Sequence, residues 1–363
     1  MSTVALLALA ITQQRIVFRQ YDMIDPDGAP SRLRLLNMSR RLDPSKKSPR
    51  AFGDPPVQWE FDWLTAGYGK LGDGENDQPE LRFRVYSQQK TDETDIGLEV
   101  SKMLVRLWDL NYRKLKVDHD RQYQSGLVDV FLCWGGEAGG EQLIDTETVN
   151  GRTVKVNTIY IYDLASFQNP VERAREVAHE YGHAALPAVG GFQQPEDWAN
   201  GFLGERLYLQ FIRDEMKANR YGSPDAMGAT YPALAAWCRT HVDPLVAEAA
   251  KSGPELATGG VGPAAMGRFH GVAIYVANVL GYDTFARAFK FVEPRRPEML
   301  TDAVVQAAEE LPRRVLNLRA YAGQTVWVPV GESRLEGARV LRRNKGWAQI
   351  QVGQTPIAIA RTN

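Results

Sequence analysis

The chain has 363 residues, 44% of them hydrophobic, and its 43 Lys and Arg against 44 Asp and Glu leave a formal charge of -1. That length and apolar content can bury a substantial core and exclude a disordered chain, while the balanced charge excludes a global field that would draw in nucleic acid or an anionic membrane. Two cysteines far apart in sequence, Cys133 and Cys238, make no C-x-x-C pair, which excludes thiolate zinc sites and dithiol redox motifs; they read as two buried thiols, with a single disulfide as the other reading.

Residues 1–14 hold the apolar run Val4-Ala5-Leu6-Leu7-Ala8-Leu9-Ala10-Ile11, followed by Thr12-Gln13-Gln14. The run is similar to the back half of a secretory signal without its charged leader, which predicts a secreted or periplasmic protein; a buried N-terminal strand or helix is the competing reading. No other stretch reaches about 18 apolar residues, so no membrane span is expected. Residues 15–75 read as an irregular β-rich region, with strand-like runs at 15–21, 32–36 and 58–63 and turn signals such as Asp25-Pro26-Asp27-Gly28. Residues 67–79, rich in Gly, Asp and Asn, read as a loop at the border of the main domain, 76–320.

Within that domain, Leu81-Arg82-Phe83-Arg84-Val85-Tyr86 alternates as a strand, and residues 94–114 space Ile96, Val100, Met103, Leu104, Leu107 and Leu110 as a helix does. Residues 127–134 predict an apolar strand, 135–140 a flexible turn, and 153–164 one or two further strand segments. Asn169-Pro170-Val171-Glu172 then supplies an N-cap side chain, a proline at the first helical position and a carboxylate at the third. The helix it opens is stopped by Pro187 and Gly190-Gly191. A long helix is expected from Pro195 to about Arg220, others near 231–251 and 263–280, and short helical pieces over 294–320. Residues 321–363 read as a small β module whose tryptophans, Trp327 and Trp347, form core rather than a binding face. The expected fold is therefore α+β: a mixed sheet, an α-rich second half and a small C-terminal β module.

The chemistry is carried by His179-Glu180-Tyr181-Gly182-His183, an H-E-x-x-H pattern inside the helix that Asn169 opens. A spacing of four puts both imidazoles on one helical face, able to hold one zinc ion, with the intervening carboxylate in reach of a water at the metal. A sheet, then this helix, then a second helix after a glycine-containing loop resembles the gluzincin zinc metallopeptidases, the thermolysin and aminopeptidase type. The similarity covers roughly residues 80–290, specific at the motif and diffuse elsewhere. The metzincin pattern fails, because Leu186 and Val189 stand where its glycine and third histidine belong.

The resemblance implies a zincin-like fold, Zn2+ as cofactor, a peptide or protein substrate, and a glutamate on the second helix as third ligand. Two glutamates qualify. Glu196 opens Glu196-Asp197-Trp198-Ala199-Asn200, similar to the family's E-x-x-x-D, with Asn200 as its orienting partner. Glu205, in Phe202-Leu203-Gly204-Glu205, is similar to the W-L-x-E turn of the aminopeptidase branch. Nine residues separate them, about 13–14 Å along a helix, so only one completes the shell, and Glu196 is the preferred one.

In the implied reaction Glu180 takes the proton of a water acidified by zinc and delivers it to the leaving amine. The oxyanion donor is expected from the later helices, with His270 first and Tyr275 or Tyr231 as lesser candidates. His119 and His241 read as surface or packing residues. By resemblance, the strand Asn157–Tyr162 is the sheet edge on which an extended peptide would lie. The glycine-rich loop 253–262 is a lid or a plain connection. No G-x-M-E-N segment for a free amine appears, which tilts the expectation towards an endopeptidase. The alternative is a non-catalytic protein with a structural zinc helix and a C-terminal module for a cell-surface or polysaccharide partner.

Overall fold

The computed structural model describes residues 17–24, 30–38, 63–68, 81–87, 96–116, 128–133, 138–149, 151–311 and 313–361. The apolar run at 4–11, most of the loop at 67–79 and His119 lie outside them. The chain packs as two compact units, one from residues 1–109, 118–184 and 211–233, the other from 110–117, 185–210 and 234–363. The architecture is mixed α+β.

The first unit is built on a seven-stranded sheet in the order β1 (Val17–Ile24), β2 (Pro30–Met38), β3 (Trp63–Tyr68), β4 (Leu81–Ser87), β5 (Val128–Cys133), β7 (Arg152–Tyr162), β6 (Gly139–Val149). β1 to β4 form an antiparallel meander, β4, β5 and β7 run parallel, and β6 returns antiparallel to β7. The N-terminal strands thus extend the same sheet that carries the motif helix. β3 begins at Trp63, where the expected strand over 58–63 was to end.

The parallel strands need crossovers, and α1 (Ile96–Leu110) supplies the one between β4 and β5. Its apolar positions bury Leu98, Met103, Leu104, Leu107 and Trp108. Five further residues, Asn111–Leu115, continue it as a π turn.

Two corrections concern the sheet next to the motif. Residues 139–149, expected to be partly turn, form the eleven-residue strand β6. Consequently Asn157–Tyr162 is not the sheet edge, because β7 is hydrogen-bonded on both sides, to β5 and to β6, and among the described strands β6 is the edge on that side. The signal was weak because Glu141 and Asp145 are poor strand formers, tolerated on an edge strand.

Alternation along the pleat divides the side chains between two faces. Phe83, Val85, Val128, Val130, Leu132, Ile159 and Ile161 form one buried face; Tyr86, Cys133, Tyr160 and Tyr162 form a cluster on the other, with Phe131 packed against them. There the rings of Tyr86, Phe131 and Tyr160, direct neighbours in register, stack at 4.7 and 5.3 Å.

The helix α2 (Pro170–Ala185) follows β7. Its residues Val171, Ala174, Val177, Ala178, Tyr181, Ala184 and Ala185 are all buried, a stripe at helical spacing made mostly of small side chains. The Phe83 and Tyr181 rings meet edge to face at 5.7 Å, tying the sheet's aliphatic face to the helix.

The second unit centres on α6 (Pro263–Leu280), buried on almost every side. After α4 (Tyr231–His241) in the chain, α5 (Asp243–Ser252), α7 (Tyr282–Ala288) and α8 (Leu300–Glu309) pack against α6. α5 crosses α6 so closely that a β-carbon on Gly271 would collide with the Leu245 carbonyl oxygen. α3 (Asn200–Lys217) reaches α6 through the Gln210 and Asn278 amides, 2.5 Å apart.

The C-terminal strands form two small sheets, β10 (Arg334–Glu336), β13 (Ala358–Ala360), β8 (Arg313–Val315), and β11 (Arg339–Asn344), β12 (Trp347–Gln351), β9 (Thr325–Pro329). β8 already belongs to this β region, which therefore begins ahead of residue 321. Trp327 and Trp347 are both 1% exposed and pack on helical elements: the Trp347 indole donates to the Thr301 carbonyl at 3.1 Å, and the Tyr275 hydroxyl donates to the Trp327 carbonyl at 2.7 Å. They are core, as their sequence context indicates. No helix among the described residues is long and apolar enough to cross a membrane.

Candidate metal centre

The α2 helix starts as its sequence dictates. Asn169 Oδ1 accepts the Val171 N–H at 2.9 Å, and the Asn169 carbonyl accepts the N–H groups of Glu172 and Arg173. Pro170, with no N–H to satisfy, fits the first turn. The Glu172 carboxylate does not close a capping box; Arg175 Nε donates to it at 2.8 Å. The helix ends at Ala185, where Pro187 disfavours helical backbone at Leu186.

At the C-terminal end of α2, His179 and His183 are half-buried, with their Nε2 atoms 3.2 Å apart and ring planes inclined at 71°. Two nitrogens each about 2.0–2.1 Å from a tetrahedral zinc stand about 3.3–3.4 Å apart, close to the observed spacing, which is also that of a hydrogen-bonded pair of neutral imidazoles. The helix end is held in turn: Asn157, fully buried on β7, donates Nδ2 to the Ala184 carbonyl at 2.9 Å, and Gln142 of β6 donates to Asn157 Oδ1 at 2.8 Å.

Glu180 is 3% exposed and lies against β6. A β-carbon on Gly140 would stand 2.5 Å from Glu180 Cγ and 2.7 Å from both Cδ and Oε1. This neighbour was missed from sequence, because the Gly139-Gly140 pair reads as a turn; only once it is placed in a strand does glycine mark a close approach.

The loop after α2 is pinned by its own residues. The Ala199 N–H donates to the Val189 carbonyl at 2.9 Å, and Asp197 Oδ1 accepts the Gly191 N–H at 3.2 Å. Asp197 also pairs with Arg295 at 2.9 Å, whose guanidinium lies 4.9 Å from the centre of the Trp198 ring. Trp198 packs on Gly190, where a β-carbon would meet the ring at 2.9 Å. From the next loop, Gly262 N–H donates to the Phe192 carbonyl at 2.8 Å and the Thr258 hydroxyl to the Pro297 carbonyl at 2.8 Å. Residues 258 and 262 of the 253–262 loop are thus hydrogen-bonded to neighbouring segments.

Glu196 stands in this braced loop, ahead of α3 rather than at its start, because the helix opens only at Asn200. Asn200 is buried at that first position. Ligand atoms of His179, His183 and Glu196 all lie within 4.8 Å of one another. Glu205 is buried on α3 and belongs to no such group of donors among the described residues. Two imidazoles and one carboxylate are a donor set suited to zinc with one position left open.

His270 is fully buried on α6, with Nε2 3.0 Å from the Ala199 carbonyl oxygen. Tyr275 is also fully buried, its hydroxyl committed to the Trp327 carbonyl. Tyr231 is 38% exposed at the start of α4, and His241 packs beside Trp237 with ring centres 4.9 Å apart. Cys133 and Cys238 are both buried, and no disulfide joins them. No protein-family model matches the chain, nor does any curated protein or solved structure.

Proposed function

We propose that this chain is a zinc-dependent peptidase of the gluzincin type, with His179, His183 and Glu196 as the metal ligands and Glu180 as the general base. The observation that carries the reading is the convergence of those three donors, with the two Nε2 atoms 3.2 Å apart, next to a buried glutamate in the same helical turn. A purely structural zinc site has no use for such a base, and normally closes its shell with a fourth protein ligand.

Zinc, when bound, supplies a Lewis acid that brings the pKa of a water towards about 7 and polarises a carbonyl oxygen. The residues do the rest. Glu180 takes the proton of the attacking water and returns it to the departing amine. The pinned turn around Asp197, Trp198 and Ala199 keeps Glu196 in place while charge builds up. His270 acts through that turn: a fully buried ring facing the Ala199 carbonyl is a positioning group, and the expectation that it would meet the oxyanion is set aside. β6, the edge among the described strands on that side of the sheet, is where an extended peptide would add by main-chain pairing, which suits an endopeptidase.

The test is zinc stoichiometry and cleavage of an unstructured protein such as casein, in the wild type and in Glu180→Gln. One zinc per chain in both, with cleavage reduced by about 10²–10⁴-fold in the variant, supports the proposal. Full activity in Glu180→Gln removes the mechanism. Zinc without cleavage in the wild type favours a structural metal helix instead.

A further inference from the structure

We propose that Gly140 is a positioning residue for Glu180, so that the edge strand β6 sets where the carboxylate stands. The functional half of this inference rests on Glu180 being the general base; the structural half does not.

Gly140 lies in extended backbone, paired with Ile161 of β7, a conformation open to any residue. Conformation therefore does not ask for glycine here. Space does, since Cγ, Cδ and Oε1 of Glu180 fill the volume a side chain would need. A methyl group at 140 must displace either the strand or the glutamate. The strand is the stiffer of the two. β6 pairs with β7 continuously from Gly139 to Val149, and side chains secure it on both faces. On one, Tyr162 donates to Glu141 at 2.6 Å and Tyr160 to Asp145 at 2.7 Å; on the other, Gln142 donates to Asn157 at 2.8 Å.

Glu180, a side chain with three rotatable bonds, yields first, and its carboxylate moves with it. Gln142 adds a second fixed point. It shares the face of Gly140, two residues on, and through Asn157 it reaches the Ala184 carbonyl, next to His183. One strand thereby gauges both the base and the end of the helix that carries the histidines. A misplacement of about 1 Å at a reacting group is enough to cost about 10²-fold in rate.

The experiment is a two-by-two set, wild type, Gly140→Ala, Glu180→Ala and the double variant, read by melting midpoint, zinc stoichiometry and casein cleavage. Gly140→Ala should keep one zinc per chain, lose about 100-fold in kcat with KM changed less than about twofold, and melt several degrees lower. In the Glu180→Ala background the added methyl should cost almost nothing in melting midpoint, because the atoms it would strike are gone. An equal loss of stability in both backgrounds overturns the inference, and so does a Gly140→Ala variant with unchanged kcat. If the wild type neither binds zinc nor cleaves casein while the stability coupling persists, the contact stands and the peptidase reading fails.

Discussion

His179 Nε2 and His183 Nε2 face each other at 3.2 Å across one turn of α2, a distance set by the helix repeat and by the anchoring of the helix end through Asn157 and Ala184. On the proposed reading such a pair would hold a shared ion with little rearrangement. Zinc bound to the folded state alone stabilises it by mass action, by about 4 kcal/mol at a thousand times the dissociation constant. A chelator should therefore lower the melting midpoint of the wild type but leave His183→Ala unmoved, since that variant has no zinc to lose. A wild type that melts identically with and without chelator contradicts the metal site.

The two candidate glutamates should separate cleanly. Glu196 is one of the three converging donors and sits in a half-buried loop, so Glu196→Ala removes a ligand with little packing to lose. Zinc content should fall to near zero with a modest change in the melting of the metal-free protein. Glu205 is 3% exposed inside α3, so Glu205→Ala should lower the melting midpoint while zinc content stays at one per chain. Zinc loss in Glu205→Ala with retention in Glu196→Ala would reverse the ligand assignment.

His270 offers a sharper distinction between catalysis and positioning. Its removal takes one donor from the buried Ala199 carbonyl, which keeps the Leu203 N–H at 2.8 Å, a cost of about 0.5–1.5 kcal/mol, and loosens the turn behind Glu196. His270→Ala should weaken zinc binding, on the order of tenfold, and reduce cleavage only when zinc is limiting. His270→Gln, which keeps an N–H donor, should restore most of the affinity. If excess zinc leaves His270→Ala defective in kcat, with an altered pH profile, the histidine takes part in the reaction directly.

Much of this was legible in the chain because the deciding signals are local. Asn169 and Pro170 mark the start of α2, Pro187 its stop, and the four-residue spacing places the histidines, all within one element. The proposed third ligand was readable only as a choice, because the loop that carries Glu196 is held by contacts of Asp197 with Arg295 and of Trp198 with Gly190, which no spacing rule encodes. β6 was missed for a related reason. Its strand character comes from pairing with β7 and from tyrosine partners for its carboxylates, while Glu141, Asp145 and Glu147 taken alone argue for loop. His270 looked available for chemistry because a sequence does not tell that its ring is sealed against a main-chain carbonyl.

The face of the sheet away from the aliphatic core gives a prediction independent of metal. Burial, helped by the nearby charge of Glu141, pushes the Cys133 thiol up to about 12. Burial first, then hydrogen bonding to Asp145 and Glu141, raises Tyr160 and Tyr162 above the ordinary phenol range. A neutral thiol that is 2% exposed is a poor nucleophile, so at pH 8 the native protein should show no rapid reaction with a thiol reagent, and two thiols per chain after denaturation.

The same shift makes the fold alkali-sensitive. Between about pH 9 and 12 the folded chain keeps a Cys133 proton that the unfolded chain has lost, so the unfolded state binds fewer protons and stability falls as pH rises. Cys133→Ala removes that contribution. Its unfolding free energy, measured in urea from pH 8 to 11, should decline less steeply than the wild type's, by up to about 1.4 kcal/mol per pH unit. Parallel pH dependences for the two proteins, or a native Cys133 that reacts at pH 8, would show that the thiol is not held neutral in the fold.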